Sequence, residues 1–250
     1  MVLRWFVGRL GLALVLWGSL LGVQGVAGAA TERIRTFESR IVIHADAAMT
    51  VTEKITVLSA GQEIKRGIFR ELPTQYRDRY GNAVKVDLEI VEIRRDGRPE
   101  PYHVEKAANG IRIYIGQKDV FLPPGQYTFT IVYRTDRQLG YFPEYDELYW
   151  NVTGTGWSFP IDAVRAEVVL PPGATVKQQA GYTGPFGATG QDYRVSFPAP
   201  GVVVFTTTRG LGPHEGLTIA VAWPKGLVRE PAGSEKAWLF FRDNAPLLSA

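Results

Sequence analysis

The chain has 250 residues, of which 45% are hydrophobic and 21% charged, a composition typical of a globular protein and not of a disordered one. Its 28 basic and 25 acidic residues give a net charge of +3, but Arg4 and Arg9 precede every acid, and without them 26 bases face 25 acids. This balance removes the support for nucleic-acid binding through a cationic surface, and the absence of cysteine excludes disulfides, thiolate metal sites and a thiol nucleophile.

The first 29 residues have the three parts of an export signal. A basic start is followed by the apolar run Leu10–Val23, and Ala27 and Ala29 then flank a glycine in the small-x-small pattern that a signal peptidase accepts. The sequence therefore predicts a signal peptide over residues 1–29 with cleavage after Ala29; an uncleaved membrane anchor is the alternative. In both cases we expect the rest of the chain to be exported, on the extracytoplasmic face of the membrane or the cell surface.

After the leader, apolar and polar residues alternate with a period of two, as in strands that are buried on one face. The alternating segments are Phe37–His44, Thr50–Val57, Val84–Val91, Ile111–Ile115, Tyr127–Tyr133, Val164–Leu170 and Leu217–Trp223. Asp96-Gly97 and Asn109-Gly110 predict tight hairpins between strands. We therefore predict an all-β fold, an antiparallel β-sandwich over residues 30–226, with a sub-boundary near residue 160 as an option.

Two segments depart from this alternation. Gly181–Gly190 is glycine-rich, which predicts a loop. From Ser234 onward, Trp238 and Phe241 begin a pattern with spacings of three and four, which predicts a short helix. Residues 227–250 are therefore interpreted as a linker and a juxtamembrane-type helix, and no segment after the leader is long and apolar enough to span a bilayer.

The residues that commonly carry chemistry are scattered. His44, His103 and His214 have no second histidine at ligand spacing, so we expect neither a metal site nor a cofactor. Nucleophile, phosphate-loop and dinucleotide motifs are absent from the sequence. The stretch from Lys65 to Lys85 is basic and could meet anionic lipids or wall polymers, but its interspersed acids favour a solvated mixed-charge surface.

Residues 141–159 combine many aromatic rings with an adjacent acidic pair. Asp146 and Glu147 could act as acid and base on a glycoside, but neighbours on a strand point to opposite faces, so a further carboxylate such as Asp162 or Asp192 would be needed. The rings could form a contact platform, or they could be core, which the placement of Trp150 and Val152 on one face favours. The predicted contact residues are Tyr141, Tyr145, Asp146, Glu147, Tyr149 and Trp157.

The ordered motifs resemble one family. The motifs are Arg66-Gly67-Ile68-Phe69-Arg70-Glu71-Leu72-Pro73, Leu122-Pro123-Pro124-Gly125 with Tyr133, Asp146-Glu147-Leu148-Tyr149-Trp150-Asn151-Val152 with Gly154 and Trp157, and Gly216-Leu217-Thr218 with Pro224-Lys225-Gly226. Over about residues 31–245 they resemble the N-terminal region of the predicted bacterial membrane proteins called domain of unknown function 2207.

The resemblance implies a location more than an activity. It implies a signal peptide and an exported β-rich region, followed in the family by transmembrane helices, and Phe241–Asn244 resembles the approach to the first of these helices. Membrane association would then come through the leader or through helices downstream. The family has no established catalytic residues, so the resemblance assigns none to this chain.

We therefore expect a non-enzymatic extracytoplasmic module that binds a protein, a peptide or a cell-wall polymer. Two other functions stay open. One is a carbohydrate-active hydrolase that uses Asp146 or Glu147, and the other is a rigid structural spacer.

Overall fold

The computed structural model of the protein describes residues 31–77 and 81–248. The predicted signal peptide, with Ala27 and Ala29, lies outside the described residues. The elements in chain order are β1 (Arg33–Ile43), β2 (Met49–Ser59), β3 (Gly67–Pro73), β4 (Gln75–Arg77), β5 (Ala83–Lys85), β6 (Leu88–Arg95), β7 (Arg98–Pro99), β8 (Tyr102–Ala107), β9 (Gly110–Gly116), β10 (Gly125–Thr135), β11 (Leu139–Tyr141), β12 (Tyr145–Asn151), β13 (Val164–Val169), β14 (Gln178–Gly184), β15 (Tyr193–Ala199), β16 (Val202–Thr207), β17 (Gly216–Pro224) and α1 (Gly233–Leu248). The all-β prediction is confirmed.

The largest sheet has eight strands in the order β15-β16-β13-β1-β2-β10-β6-β7. Its neighbours pair antiparallel except β1 and β13, which pair in parallel with Phe37 opposite Val164. A parallel pair needs a crossover connection, and here the chain between these two strands builds most of the smaller sheets. The sandwich is therefore antiparallel with one parallel seam.

Three smaller sheets complete the fold: β11-β12-β17-β14, β3-β9-β8 and the hairpin β4-β5. Alternate residues of the large sheet, such as Phe37 and Phe129, belong to one hydrophobic core with Ile113 of β9 and Trp223 of β17. That core extends from Ile34 to Val228. Burial of one face of each sheet explains why the period-two pattern predicts the strands well.

Two predictions on local structure were wrong. The predicted strand Val84–Val91 is divided, because residues up to Lys85 pair with β4 whereas residues from Leu88 pair with β10. The predicted loop Gly181–Gly190 begins as the end of β14, since residues 181–184 pair with β17. Gly181 allows the Tyr193 ring to pack against the strand, because a Cβ at this position would lie 2.9 Å from ring atoms of Tyr193.

Both predicted hairpins are present, but their glycines act differently. Asp96 and Gly97 have φ values of 50° and 79°, as a two-residue turn between twisted strands requires, and they join β6 to β7. Gly110 joins β8 to β9 in the ladder itself, and a Cβ there would lie 2.2 Å from the Leu72 carbonyl oxygen. Gly110 is therefore required for the close approach of β9 to β3.

We expect Gly110→Ala to lower the free energy of unfolding by about 1–3 kcal/mol, because the added methyl group must push two paired backbones apart. Urea unfolding followed by circular dichroism measures this change. Gly233→Ala is the matched control, since no atom lies within 4 Å of a Cβ at that position, and it should change stability by less than about 0.5 kcal/mol. Equal effects of the two substitutions would contradict the close-approach explanation.

The predicted C-terminal helix is confirmed as α1, and side chains near its end bind the outer edge of β5. Asn244 accepts a hydrogen bond from the Ala83 N–H (2.9 Å) and donates one to the Ala83 carbonyl (3.1 Å), while Asp243 accepts from the Lys85 N–H (3.1 Å). Trp238 stays 60% exposed. Among the described residues, no helix is both long and apolar enough to cross a membrane.

Candidate functional site

Strand β12 contains four of the six predicted contact residues and divides them between its two faces. Asp146 faces the core and is 1% exposed, whereas Tyr149 faces outward and is 61% exposed. Tyr145 and Glu147 lie on the same outward face as Tyr149 and are half-buried. Asp146 and Glu147 therefore point in opposite directions, as expected for strand neighbours.

Asp146 is held by a lysine. The Lys225 Nζ lies 2.8 Å from Asp146 Oδ1 and 3.1 Å from a carboxylate oxygen of Glu230. The hydrogen bond with Asp146 is the main reason why the pKa of Lys225 is raised. Burial, followed by the charges of Asp146 and Glu230, raises the pKa of Tyr141 to about 12, so this phenol stays protonated at neutral pH.

The other carboxylates considered for hydrolysis are also placed apart. Burial raises the pKa of Glu147, which forms no ion pair among the described residues. Asp162 pairs with Arg33 at 3.3 Å, and Asp192 pairs with Arg209 at 2.8 Å. Within the described residues, no group of three or more acidic or histidine side chains is arranged to hold a metal ion.

Trp157, the sixth predicted contact residue, lies in the core and is 7% exposed. Its indole N–H donates to the Thr153 carbonyl at 2.9 Å, and its ring meets Phe37 edge-on with the centroids 6.3 Å apart. The packing interpretation of the aromatic residues therefore describes Trp157, and also Trp150, which is 7% exposed. Of the contact residues, Tyr149 is the one that presents most of its ring to solvent.

A buried arginine connects the motifs of the sequence. Arg70 of β3 is 4% exposed and binds the fully buried Glu53 of β2 through two parallel hydrogen bonds, from Nε and Nη2, each 2.8 Å long. Tyr133 of β10 donates its hydroxyl to the same carboxylate at 3.1 Å. A bidentate pair of this kind fixes both the distance and the angle between the two sheets.

The remaining donors of Arg70 reach the segment after β12. Nη1 donates to the Thr153 carbonyl at 2.7 Å, and Nη2 donates to the Val152 carbonyl at 3.0 Å. The charge of Glu53, after the effect of burial, places the pKa of Tyr133 well above its ordinary value of 10.0. The motif residues Arg70, Tyr133 and Val152 thus meet in one buried network that holds the end of β12 in place.

Beside this network lies a groove with a volume of about 490 Å³. Leu72 and Pro73 at the end of β3 line it on one side, and Leu139 and Trp150 line it on the other. Hairpin β4–β5 contributes Tyr76 and Val84, and the other lining residues used below are Arg77, Tyr149 and Asn151. Most of the lining is apolar, which suits the side chains of a bound chain.

The edge of β12 is open along this groove. Strand β11 pairs only with residues 146–148, whereas β17 pairs with all of β12. The Phe142 N–H donates to the Tyr145 carbonyl and the Val152 N–H donates to the Leu217 carbonyl, so odd-numbered residues of β12 direct their backbone groups away from β17. The pairing of Leu139 with Leu148 directs the Tyr149 N–H toward the Gln138 carbonyl, so the groups that face the open side beyond β11 are the C=O of Tyr149 and the N–H and C=O of Asn151.

The facing edge of β3 is capped by side chains. Arg70 Nη1 donates to the Glu71 carbonyl at 3.3 Å, and the Tyr76 hydroxyl donates to the Pro73 carbonyl at 3.1 Å. Burial raises the pKa of Tyr76, which keeps its hydroxyl a donor. The groove thus has one capped wall and one wall with free backbone hydrogen-bonding groups.

The chain matches the family model described as "Predicted membrane protein (DUF2207) N-terminal domain" over residues 33–223. A relative, "Uncharacterized protein YciQ" of Escherichia coli (strain K12), is 34% identical over 134 residues, which are 54% of this chain. This chain spans only 21% of the length of that relative.

Solved structures give distant likenesses. Yeast LTA4 hydrolase in complex with bestatin is 11% identical, covers 76% of this chain and 28% of its own length, and has a TM-score of 0.47. A putative protease from Parabacteroides distasonis is 12% identical, covers 77% of this chain and 40% of its own length, and has a TM-score of 0.46. Both TM-scores are low, and neither likeness supports an inference about activity.

Proposed function

This chain belongs to the DUF2207 family of predicted membrane proteins through their N-terminal domain, and from that premise we propose that it is an extracytoplasmic module that binds an extended peptide segment of another protein. The peptide would lie in the groove beside β12. The export of the domain follows from the leader predicted over residues 1–29. The module acts by binding and not by catalysis.

The observation that carries this proposal is the open edge of β12 beside an apolar groove. Tyr149 offers its C=O, and Asn151 offers its N–H and C=O, at the spacing that an added strand requires. Strand addition is a common mode of peptide recognition, in which main-chain hydrogen bonds give affinity and neighbouring pockets select side chains. Native proteins usually cover such an edge, as this chain does at β3.

The chemistry of the groove fits a peptide chain. Trp150 lines the groove with its apolar ring, whereas its indole N–H is buried and not available to a ligand. Arg77 makes a hydrogen bond to the Gly81 carbonyl but no ion pair among the described residues, and its charge favours an acidic side chain or a carboxyl terminus. An extended segment with apolar residues and one acidic group is therefore the preferred ligand.

Binding without catalysis is supported by the positions of the acidic pair. Asp146 faces the core in an ion pair with Lys225, and Glu147 lies on the opposite face of the strand. Glycoside hydrolysis requires two carboxyl groups that face each other across an open cleft. Asp146 and Glu147 do not form such a pair.

We expect Asn151→Pro to weaken peptide binding at least about tenfold, because proline removes the N–H that faces the groove. The probe is the tightest-binding heptapeptide selected against the purified chain from a displayed random library, and its affinity is measured by fluorescence anisotropy. A proline is tolerated on the open side of a strand, so the thermal midpoint should fall no further than that of Asn151→Ala. The midpoint is measured for each variant.

Asn151→Ala is the matched control, since it keeps the N–H and loses the same side-chain hydrogen bond from the Gly154 N–H. It should bind the selected peptide nearly as well as the parent chain. If both substitutions abolish binding equally, the Asn151 side chain is the contact and strand addition is wrong. If neither changes binding, the peptide does not use this edge and the proposal is overturned.

A further inference from the structure

The outward face of the sheet β11-β12-β17-β14 forms a cleft between two tyrosines. Tyr149 of β12 lies opposite Ala220 of β17, and Tyr182 of β14 lies opposite Thr218, the next outward-facing residue of β17. Strand β17 lies between β12 and β14, so the two tyrosines are on strands about 10 Å apart. Gly216 and Thr218 line the floor between them, and the volume of the cleft is about 440 Å³. We call it the tyrosine cleft.

The rings of the tyrosine cleft have faces that no other ring or cation covers. Tyr149 is 61% exposed and Tyr182 is half-buried. Neither ring takes part in a ring stack or a cation–π contact among the described residues, and the same is true of Phe186, which lines the cleft at its rim. These three rings are therefore available to a ligand.

A closed loop holds Phe186 at the rim of the tyrosine cleft. Thr183 and Gly190 exchange two backbone hydrogen bonds, of 2.8 and 3.1 Å, at the base of this loop. At its tip, a backbone hydrogen bond of 3.0 Å closes the turn Pro185–Ala188, and Gly187 has a φ of 82°, as the third position of a type II turn requires. Phe186 is 93% exposed. An ordered turn thus places an apolar ring in solvent beside the cleft, where it contributes nothing to the core.

The polar groups of the tyrosine cleft are uncharged and have no partner. Among the described residues that line it, no side chain carries a charge. Asn151 accepts a hydrogen bond from the Gly154 N–H, but its amide nitrogen donates none within the described part of the chain. The phenol hydroxyls of both tyrosines and three threonine hydroxyls are likewise unpaired there; the threonines are Thr155, Thr189 and Thr218. Hydroxyl groups both donate and accept, so they match ligands that do the same.

We propose that the tyrosine cleft binds a neutral oligosaccharide, with a sugar ring between Tyr149 and Tyr182 and its hydroxyls on Asn151 and the threonines. Flat aromatic rings offer a large contact area to the apolar face of a sugar at a low cost in conformational entropy. The uncharged donors and acceptors would bind the sugar hydroxyls, each of which also donates and accepts.

The chemistry of the cleft favours a neutral glycan over other ligands. A peptide main chain finds no ladder partner on this face, because β12, β17 and β14 pair their backbone groups with one another. Anionic lipid headgroups and anionic glycans are recognised by cations, and the lining of the cleft has none. An apolar protein surface would bury the hydroxyls of the cleft without partners, which costs free energy.

The test uses the purified chain and three neutral probes, cellohexaose, chitohexaose and maltohexaose, with hexagalacturonate as the charged reference. Affinities are measured by isothermal titration calorimetry. We expect at least one neutral probe to bind more tightly than hexagalacturonate, and added salt should leave its affinity unchanged because no charged side chain lines the cleft. If none of the neutral probes binds, or if hexagalacturonate binds more tightly than all of them, the proposal is overturned.

Tyr182→Leu should weaken binding of the tightest neutral probe about tenfold because it removes the flat ring, whereas Tyr182→Phe keeps the ring and should weaken binding about twofold at most. Tyr102→Leu is the matched control, since Tyr102 is an exposed tyrosine outside the cleft, and it should bind like the parent chain. Equal losses for Tyr182→Leu and Tyr102→Leu would overturn the proposal. Phe186→Ser changes an exposed turn and should weaken binding about threefold, which tests the cleft even if Tyr182→Leu unfolds.

Tyr182 and Phe186 do not line the peptide groove, so the two sites can be tested separately. The heptapeptide selected for the groove should bind Tyr182→Leu and Phe186→Ser as it binds the parent chain. If these variants weaken heptapeptide binding and no neutral probe binds, the cleft is part of the peptide site and the glycan proposal is overturned. Binding to phosphatidylglycerol vesicles, with no binding to a neutral probe, would overturn it in favour of a lipid surface.

Discussion

Arg70→Leu should lower the free energy of unfolding by about 3–5 kcal/mol, the largest effect of a single substitution that we expect in this chain. The reason is that Glu53 is fully buried and would keep its charge without the two hydrogen bonds from Arg70. The Val152 and Thr153 carbonyls would also lose their donor. Urea unfolding at neutral pH measures the loss.

Two further variants test whether the loss of stability comes from the buried ion pair and not from the replacement of any arginine. Arg112 pairs with Glu71 at the surface, and Arg112→Leu should cost less than about 1 kcal/mol because solvent screens that pair. The double variant Glu53→Leu with Arg70→Leu leaves no unpaired charge and should be more stable than Arg70→Leu alone. If the double variant is less stable than Arg70→Leu, an uncompensated Glu53 is not the cause of the loss.

The fold could largely be predicted from the sequence because most strands bury one face. Alternation located β1, β2, β9, β10, β13 and β17, and the spacing after Ser234 located α1. Alternation could not show that the chain changes sheets between Lys85 and Leu88, since apolar and polar residues continue to alternate in the sequence through the break. Pairing partners, including the parallel β1–β13 seam, depend on contacts distant in sequence.

The residues of the candidate site were harder to predict from the sequence than the strands were. Glu53 sits between Val51 and Ile55 at a position where the alternation of β2 requires a core residue, and that placement was the available signal of a buried ion pair. Its partner Arg70 belongs to the basic stretch from Lys65 to Lys85, whose interpretation as a solvated surface was wrong for Arg70, which is 4% exposed. The open edge of β12 had no signal in the sequence, because it depends on the length of β11.

The buried pair and the open edge are parts of one arrangement. Arg70 binds the carbonyls of Val152 and Thr153, which directly follow the open residues of β12, and it also caps Glu71 on the opposite wall of the groove. An edge that is held from the core can bind an added strand without first becoming ordered, which lowers the entropic cost of binding. The motifs of this family domain thus place a rigid edge beside a groove.

Replacing Asp243 and Asn244 together by alanine should accelerate the hydrogen exchange of the Ala83 and Lys85 amides by about tenfold to a hundredfold. These amides donate to the two side chains, and Asp243 also forms a 2.7 Å ion pair with Arg137. Exchange is followed by mass spectrometry on a peptide that covers β5. Lys236→Ala, which removes an exposed ion pair on the same helix, should leave this exchange unchanged.

The same contact should weaken in acid. Burial alone would raise the pKa of Asp243, but the Lys85 N–H, together with Arg137 and Arg242, outweighs burial and lowers that pKa below its ordinary value of 3.8. A carboxylate with a lowered pKa adds stability that is complete above its ordinary value and is lost as the pH falls through the lowered value. Exchange at β5 in the parent chain, corrected for its intrinsic pH dependence, should therefore rise below about pH 4, whereas the double alanine variant should show no such rise. A parent chain with pH-independent protection would show that α1 is not held through Asp243, and the contact with hairpin β4–β5 would then depend on the two hydrogen bonds between Asn244 and Ala83.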